Sequence, residues 1–281
     1  MPAVKVHDVR GRFPVLPSHV HGYALELADA VVVVDATAAI SSATQLRQAA
    51  EATGKPLSAV VVTHGHPDHF TGLVEFKDLP IWASQACIDF ARREDAEKSA
   101  SGKQYLGDDF PDERTFPSQV VTDGRVLEFG GSHLTFNDLG PGESDADGMW
   151  SLEADGVLHA FVGDVISGGV HSFFGDGHAL HWLEILDRLE RDCPPDTRFY
   201  IGHGESPADM AALRRQRAYV EKFIEVVKAL DRESPVSQET QNRVVAAMRE
   251  YLPTDDLLFL LGYELDKGIP RVWDSLGARV E

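Results

Sequence analysis

Apolar and polar positions change period several times along the 281 residues. Tyr23 to Leu27 and Ala30 to Val34 are apolar or alternating runs parted by Ala28-Asp29, the pattern of a β-hairpin. Ser41 to Ala52, rich in Ala and Gln, predicts a helix that stops at Gly54-Lys55-Pro56. Leu57 to Val62 is a β-branched run of the kind that forms a buried strand. Ile81 to Ser84 reads as another short strand and Gln85 to Ala96 as a helix. From Val120 to Ile166 the period returns to two. Strands are expected at Val126–Phe129, His133–Phe136, Met149–Leu152 and Val157–Val162, with Gly and Asp turns between them.

Beyond Gly177 the pattern is mainly helical. Leu180, Leu183, Leu186 and Leu189 mark one helix, and Arg198 to Ile201 a last short strand. Ser206-Pro207-Ala208-Asp209 predicts a helix start: Ser206 as N-cap, Pro207 at the first helical position, Asp209 three residues after the cap. Val220, Phe223, Ile224, Val227 and Leu230 then line one face. Val244, Val245, Met248 and Leu252 predict another helix, and Leu257 to Leu265 a third. Strands followed by helices in two β-rich halves predict an α/β sandwich, two sheets face to face with helices outside. The expected division is a catalytic unit at 1–206 and a helical C-terminal extension at 207–281 packed on it. The apolar face of the extension reads first as core packing, and beyond that as a pocket wall or a homodimer surface. No internal repeat or low-complexity tract interrupts this organisation.

Composition adds exclusions. Hydrophobic residues make up 43% and charged residues 25%, ordinary for a soluble enzyme. The formal net charge of -19 disfavours nucleic acid and anionic membranes as partners, and Arg92-Arg93 and Arg214-Arg215 are isolated basic pairs. The N-terminus lacks the pattern of a secretory signal, and no apolar run is long enough to cross a bilayer. Cys87 and Cys193 are far apart and read as free thiols, so a cytoplasmic location is expected.

The chemistry concentrates in Thr63-His64-Gly65-His66-Pro67-Asp68-His69, which places four metal-ligand side chains within six residues directly after a strand. Divalent metals take imidazole nitrogen and carboxylate oxygen readily. His64 and His66 can project to one side of an extended turn. Pro67 restrains the backbone, and Asp68 and His69 point to a second position, so one loop can serve two ions.

These residues resemble the HxHxDH motif of the metallo-β-lactamase superfamily, position by position at His64, His66, Asp68 and His69. The resemblance covers roughly residues 20 to 205 and implies an αββα sandwich. It implies three later ligands, each at the end of a strand. Val162-Gly163-Asp164 matches the family's bridging aspartate, and Ile201-Gly202-His203-Gly204 its final histidine. One position departs: where the family has histidine in a Gly-His-Thr segment, this chain has Gly142-Glu143-Ser144. Three readings of Glu143 stay open. It ligates the first metal; it points away and leaves that site weak; or the alignment shifts the role to Asp145 or Asp147. With Glu143 ligated, two divalent ions, a bridging hydroxide and the carboxylates sum to about zero charge, against about +1 with a neutral histidine. That favours harder metals at the first site.

The resemblance implies a binuclear metallo-hydrolase. Two zinc ions per chain are expected, with manganese or iron(II) as alternatives. A bridging hydroxide, made available because metal lowers the pKa of water from about 15.7 to about 7, attacks a small ester, lactone, thioester or related small-molecule substrate. His64, His66, Glu143 and Asp164 serve the first metal, and Asp68, His69, His203 and Asp164 the second. Asp68 also orients the nucleophile or shuttles a proton. The loop Ser167 to Gly175 is expected beside the metals, which makes His171, Phe173 and Phe174 candidate substrate contacts; packing under the next helix is the other reading of the two phenylalanines. His19, His21, His159, His178 and His181 carry no spacing that singles them out. The competing classes are a mononuclear iron oxidoreductase acting on thiols or persulfides, against which Glu143 argues, and a non-catalytic metal-binding protein.

Overall fold

Four consecutive valines, 31 to 34, are buried at 0–1% exposure because the strand they form is covered on both faces. The computed structural model describes residues 4–13 and 18–278; the outer ends of the two expected units, 1–3 and 279–281, lie outside the described residues. One sheet holds β1 (Lys5–Arg12), β2 (His19–Glu26), β3 (Val31–Val34), β4 (Leu57–Val61), β5 (Ile81–Ser84) and β6 (Gln119–Val121), in that spatial order. Its first three strands are antiparallel and its last four parallel. The other sheet is built from β7 (Val126–Phe129), β8 (Ser132–Gly140), β9 (Asp147–Ala154), β10 (Val157–Gly163) and β11 (Arg198–Ile201), in reverse spatial order. Only its β10–β11 pair is parallel.

The sheets face each other through Tyr23, Leu25, Val32, Val34 and Val61 on one side and Leu134, Phe136, Trp150, Leu152 and Phe161 on the other. Helices α1 (Ile40–Glu51) and α3 (Gln85–Leu106) cover the outside of the first sheet, with Leu46, Cys87 and Ile88 packed on Val31, Val33 and Val60. The short α2 (Pro67–Phe70) lies between them in sequence. Helix α4 (Ala179–Asp192) covers the second sheet through Trp182, Ile185, Leu186 and Leu189. The tail adds α5 (Met210–Lys228), α6 (Gln238–Tyr251), α7 (Leu258–Gly262) and α8 (Leu265–Ala278), and one apolar cluster runs from Val162 and Phe199 through Phe223 and Met248 to Trp273. This is the expected α/β sandwich with helices outside. Among the described residues no helix is long and apolar enough to cross a membrane.

Three details depart from the sequence pattern. The chain does not enter a helix at Ser206. Ala208 exchanges backbone hydrogen bonds of 2.9 and 2.7 Å with Phe199, which holds it beside β11. The N-cap of α5 is therefore Asp209, accepting from the Ala212 amide, while Ser206 Oγ is 2.6 Å from the Tyr23 hydroxyl. The helix expected at Leu257–Leu265 is two, because Glu264 takes φ 57° between them. Helix α8 carried no sequence signal because Gly268 and Pro270 both weaken helical propensity. A Cβ at Gly268 would sit 2.0 Å from the Phe174 carbonyl, so glycine lets the helix approach that loop. Finally, α3 continues ten residues past Ala96 to Leu106.

The sheet edges meet at one end of the sandwich. Asp35 follows β3, His64 follows β4, Glu143 follows β8, Asp164 follows β10 and His203 follows β11. Backbone bonds lock these ends together: Gly148 donates to the Thr63 carbonyl at 2.8 Å, His21 to Gly202 at 2.8 Å, and Gly202 to Gly163 at 3.0 Å.

Candidate metal centre

The strand ends bring seven of the expected side chains into two adjoining groups. His64, His66 and Glu143 form one; Asp68, His69, Asp164 and His203 form the other, and within each group the ligand atoms lie within 4.8 Å of one another. Glu143 Oε2 stands 3.0 Å from His66 Nδ1 and 3.7 Å from His64 Nε2. Asp164 lies between the groups: Oδ2 is 3.9 Å from His64 Nε2 and 3.3 Å from His203 Nε2, and Oδ1 is 3.3 Å from His69 Nε2. Asp68 Oδ2 is 3.0 Å from His203 Nε2 and 3.6 Å from His69 Nε2.

Glu143 is the carboxylate that turns inward. Asp145 instead pairs with Arg93 and, at 2.6 Å, with His178. Asp147 accepts from the Ser144 hydroxyl and amide at 2.8 and 3.2 Å.

The outward nitrogen of every histidine is occupied, which fixes its tautomer. Nδ1 of His69 donates to Asp35 Oδ2 at 3.0 Å. Thr63 donates to the same oxygen through Oγ1 at 2.7 Å and so receives Nδ1–H of His64 at 3.1 Å. Nε2 of His66 donates to Asp176 Oδ2 at 3.2 Å, and Nδ1 of His203 donates to the His19 carbonyl at 2.6 Å. The other ring nitrogens face inward. His64 Nε2, His69 Nε2, Glu143 Oε2 and Asp164 Oδ1 are buried and make no hydrogen bond. Orphaned buried polar atoms are rare, and these four, divided between the two adjoining groups, fit coordination to cations.

The electrostatics agree. Burial pushes the Glu143 carboxyl above its usual range, against the pull of His66. Burial, with the neighbouring His69, holds His64 well below the ordinary histidine value. Burial opposes charge on His66, His69 and His203 as well, yet the carboxylates win: Glu143 and Asp176 raise His66, Asp164 and Asp68 raise His69, and the same two carry His203 to about 10. Carboxylates that favour positive charge on three buried imidazoles in this way would favour a divalent ion in the same place.

The sequence model of the metallo-β-lactamase superfamily matches residues 16–203. The chain belongs to that superfamily. Among solved structures, a metallo-β-lactamase family protein from Thermus thermophilus superposes with a TM-score of 0.70 at 22% identity, covering 98% of this chain and 94% of that one. A β-lactamase domain protein from Burkholderia ambifaria gives 0.68 at 20% identity, covering 97% and 86%. The metallo-β-lactamase FIM-1 from Pseudomonas aeruginosa, in its mono-zinc form, gives 0.60 at 18%, covering 78% and 91%. No curated protein matches at a significant level.

In this metallo-β-lactamase fold the ligand groups floor a cleft of about 120 Å³, bordered by His66, Asp68, Glu143 and Asp164. Of the three residues expected to contact substrate, Phe173 lines the cleft. Phe174 stacks on Phe223 at 3.6 Å between ring centres and belongs to the core under α4 and α5. His171 is fully buried beside a narrow void shared with Glu143, Asp164 and His203, and its nitrogens are engaged by the Tyr219 hydroxyl at 2.7 Å and the Thr254 carbonyl at 3.1 Å.

Two residues that orient ligands escaped the sequence reading. Asp35 closes a buried valine strand, and a carboxylate in that place, at the carboxyl end of a core strand, is the signal that could have found it. Asp176 sits in Gly175-Asp176-Gly177, where nothing in the pattern distinguishes it from a turn residue.

Proposed function

We propose that the protein is a binuclear metal-dependent hydrolase acting on a small ester, lactone, thioester or related carbonyl compound. The observation that carries this reading is the set of inward lone pairs on His64, His69, Glu143 and Asp164, buried and without hydrogen bonds, the last two at the floor of a cleft. His64, His66 and Glu143 would hold one divalent cation, and Asp68, His69 and His203 the second, with Asp164 facing both. Such ions, when bound, polarise a carbonyl or phosphoryl oxygen and bring the pKa of water to about 7.

The chain's own groups supply the rest. Asp35, Asp176, Thr63 and the His19 carbonyl keep the imidazoles in the tautomer that presents a lone pair inward. Asp68 is the most exposed carboxylate of the set, with 15% of its side chain open against 7% for Asp164 and 2% for Glu143. From the cleft floor it can take a proton from an attacking water and return it to the leaving group. The apolar cleft wall limits competing solvent.

The reading is tested by elemental analysis of protein purified without added metal, joined to a hydrolysis panel of esters, lactones and thioesters before and after chelation. Two zinc or manganese ions per chain and a hydrolysis rate that vanishes with chelator and returns with metal support it. One iron per chain would move the assignment to thiol or persulfide oxidation. Activity untouched by complete metal removal would overturn it.

A further inference from the structure

The walls of the cleft differ sharply from its floor. Leu106 at the end of α3, Phe110 in the following loop, Phe173, and Phe259, Leu260 and Tyr263 at α7 give it an apolar lining. The last three come from the helical tail, beyond the residues that match the superfamily.

Among the described lining residues the one lysine or arginine is Lys98, and its charge is already committed. Its ammonium pairs with Glu94, lies 3.5 Å from Glu264, and sits over the rings of Phe173 and Tyr263 at 5.2 and 5.6 Å. Only 12% of the Lys98 side chain is exposed. An anionic group entering the cleft would therefore meet no free lysine or arginine charge on these walls and would lose hydration, whereas an alkyl or aryl chain would gain by leaving water.

We infer that the cleft between α3 and α7 selects neutral substrates, holding an alkyl or aryl chain attached to the reacting carbonyl against Leu106, Phe110, Phe173, Phe259, Leu260 and Tyr263 and rejecting chains that end in an anion. The inference deepens the hydrolase reading and rests on it for the reacting end alone. Lys98 acts as a structural latch that ties α3 to the tail and keeps the wall uncharged. Phe259 and Tyr105, each 40% exposed and in edge contact at 6.0 Å, stand at the mouth.

The test uses 2-alkanones from 2-pentanone to 2-nonanone, which are neutral carbonyl compounds that cannot be hydrolysed, and a 2-alkanone of equal length carrying a terminal sulfonate. Binding to the protein as purified is followed by ligand-observed NMR titration. The dissociation constant is expected to fall about fourfold per added methylene, and the sulfonate is expected to bind at least about tenfold more weakly than its neutral counterpart. The double variant Phe259→Ser/Tyr105→Ser, altered at exposed positions, should fold normally and show a visibly shallower dependence on chain length. Affinity that ignores chain length, or a sulfonate bound as tightly as the neutral ketone, overturns the inference. Chain-length-dependent binding by a protein that cleaves none of the matching esters supports the cleft assignment and sinks only the hydrolase reading.

Discussion

Oδ2 of Asp35 lies 3.0 Å from Nδ1 of His69, in the buried corner where β3 ends. The same carboxylate accepts from the Thr63 amide at 2.8 Å and its hydroxyl at 2.7 Å. In Asp35→Asn the amide oxygen can keep the Thr63 amide, but the new NH2 faces Nδ1 of His69. The ring then accepts there and carries its proton on Nε2, pointing where a lone pair is needed. Metal affinity should fall by about 10–100-fold with the fold intact. Competition titration against a chromophoric chelator reads the loss directly; unchanged affinity would show that Asp35 does not set the tautomer.

Glu143 is the other decisive carboxylate. Glu143→Ala should retain the group around His69 and His203 but lose one metal per chain, with activity down by about 10² or more. Glu143→His should raise zinc affinity at that position, since imidazole replaces a harder oxygen ligand. Equal zinc stoichiometry in all three proteins would count against coordination by Glu143.

Gly202 has no room for a side chain. A Cβ there would stand 1.8 Å from Asp164 Oδ1 and 2.6 Å from His69 Cε1. Gly202→Ala should displace the shared carboxylate by a sizeable fraction of an ångström, and displacements of about 1 Å cost about 10² in rate. Circular dichroism alongside metal analysis separates this from unfolding: native secondary structure with depleted metal is the expected pair.

Metal uptake should release protons. In the metal-free protein, carboxylates raise His66 and His69 above the ordinary histidine value and carry His203 to about 10, so coordination, which needs the neutral rings, competes with protons for these nitrogens. The sign follows: affinity weakens as pH falls, because protons compete for the same nitrogens. Calorimetric titration of zinc at pH 7 in two buffers of different ionisation enthalpy should report net release, and equal heats in both would contradict it.

Part of the centre is legible in the sequence. His64, His66, Asp68 and His69 sit on one loop, so their convergence needs only local geometry after a strand. Asp164 and His203 were legible only through the resemblance, which implies ligands in the turns after Val162 and Ile201, where β10 and β11 end. The orienting partners were not, because they come from distant elements: Asp35 is 34 residues from His69, and Asp176 is 110 residues from His66. The helix start at Ser206 misled because its capping pattern is real in sequence, while pairing of Ala208 with Phe199 outweighs it in the fold.

The sequence alone determined the sandwich and the cluster of ligand types from His64 to His69, since these follow from short-range periodicity and residue chemistry, while the later ligands were implied by the family resemblance. Tertiary packing decided which of Glu143, Asp145 and Asp147 turns inward, by giving the latter two other partners in Arg93, His178 and Ser144. It also decided that the helical tail forms part of the cleft wall. An apolar stripe on a helix states that it will be covered, and only the assembled fold states what lies against it.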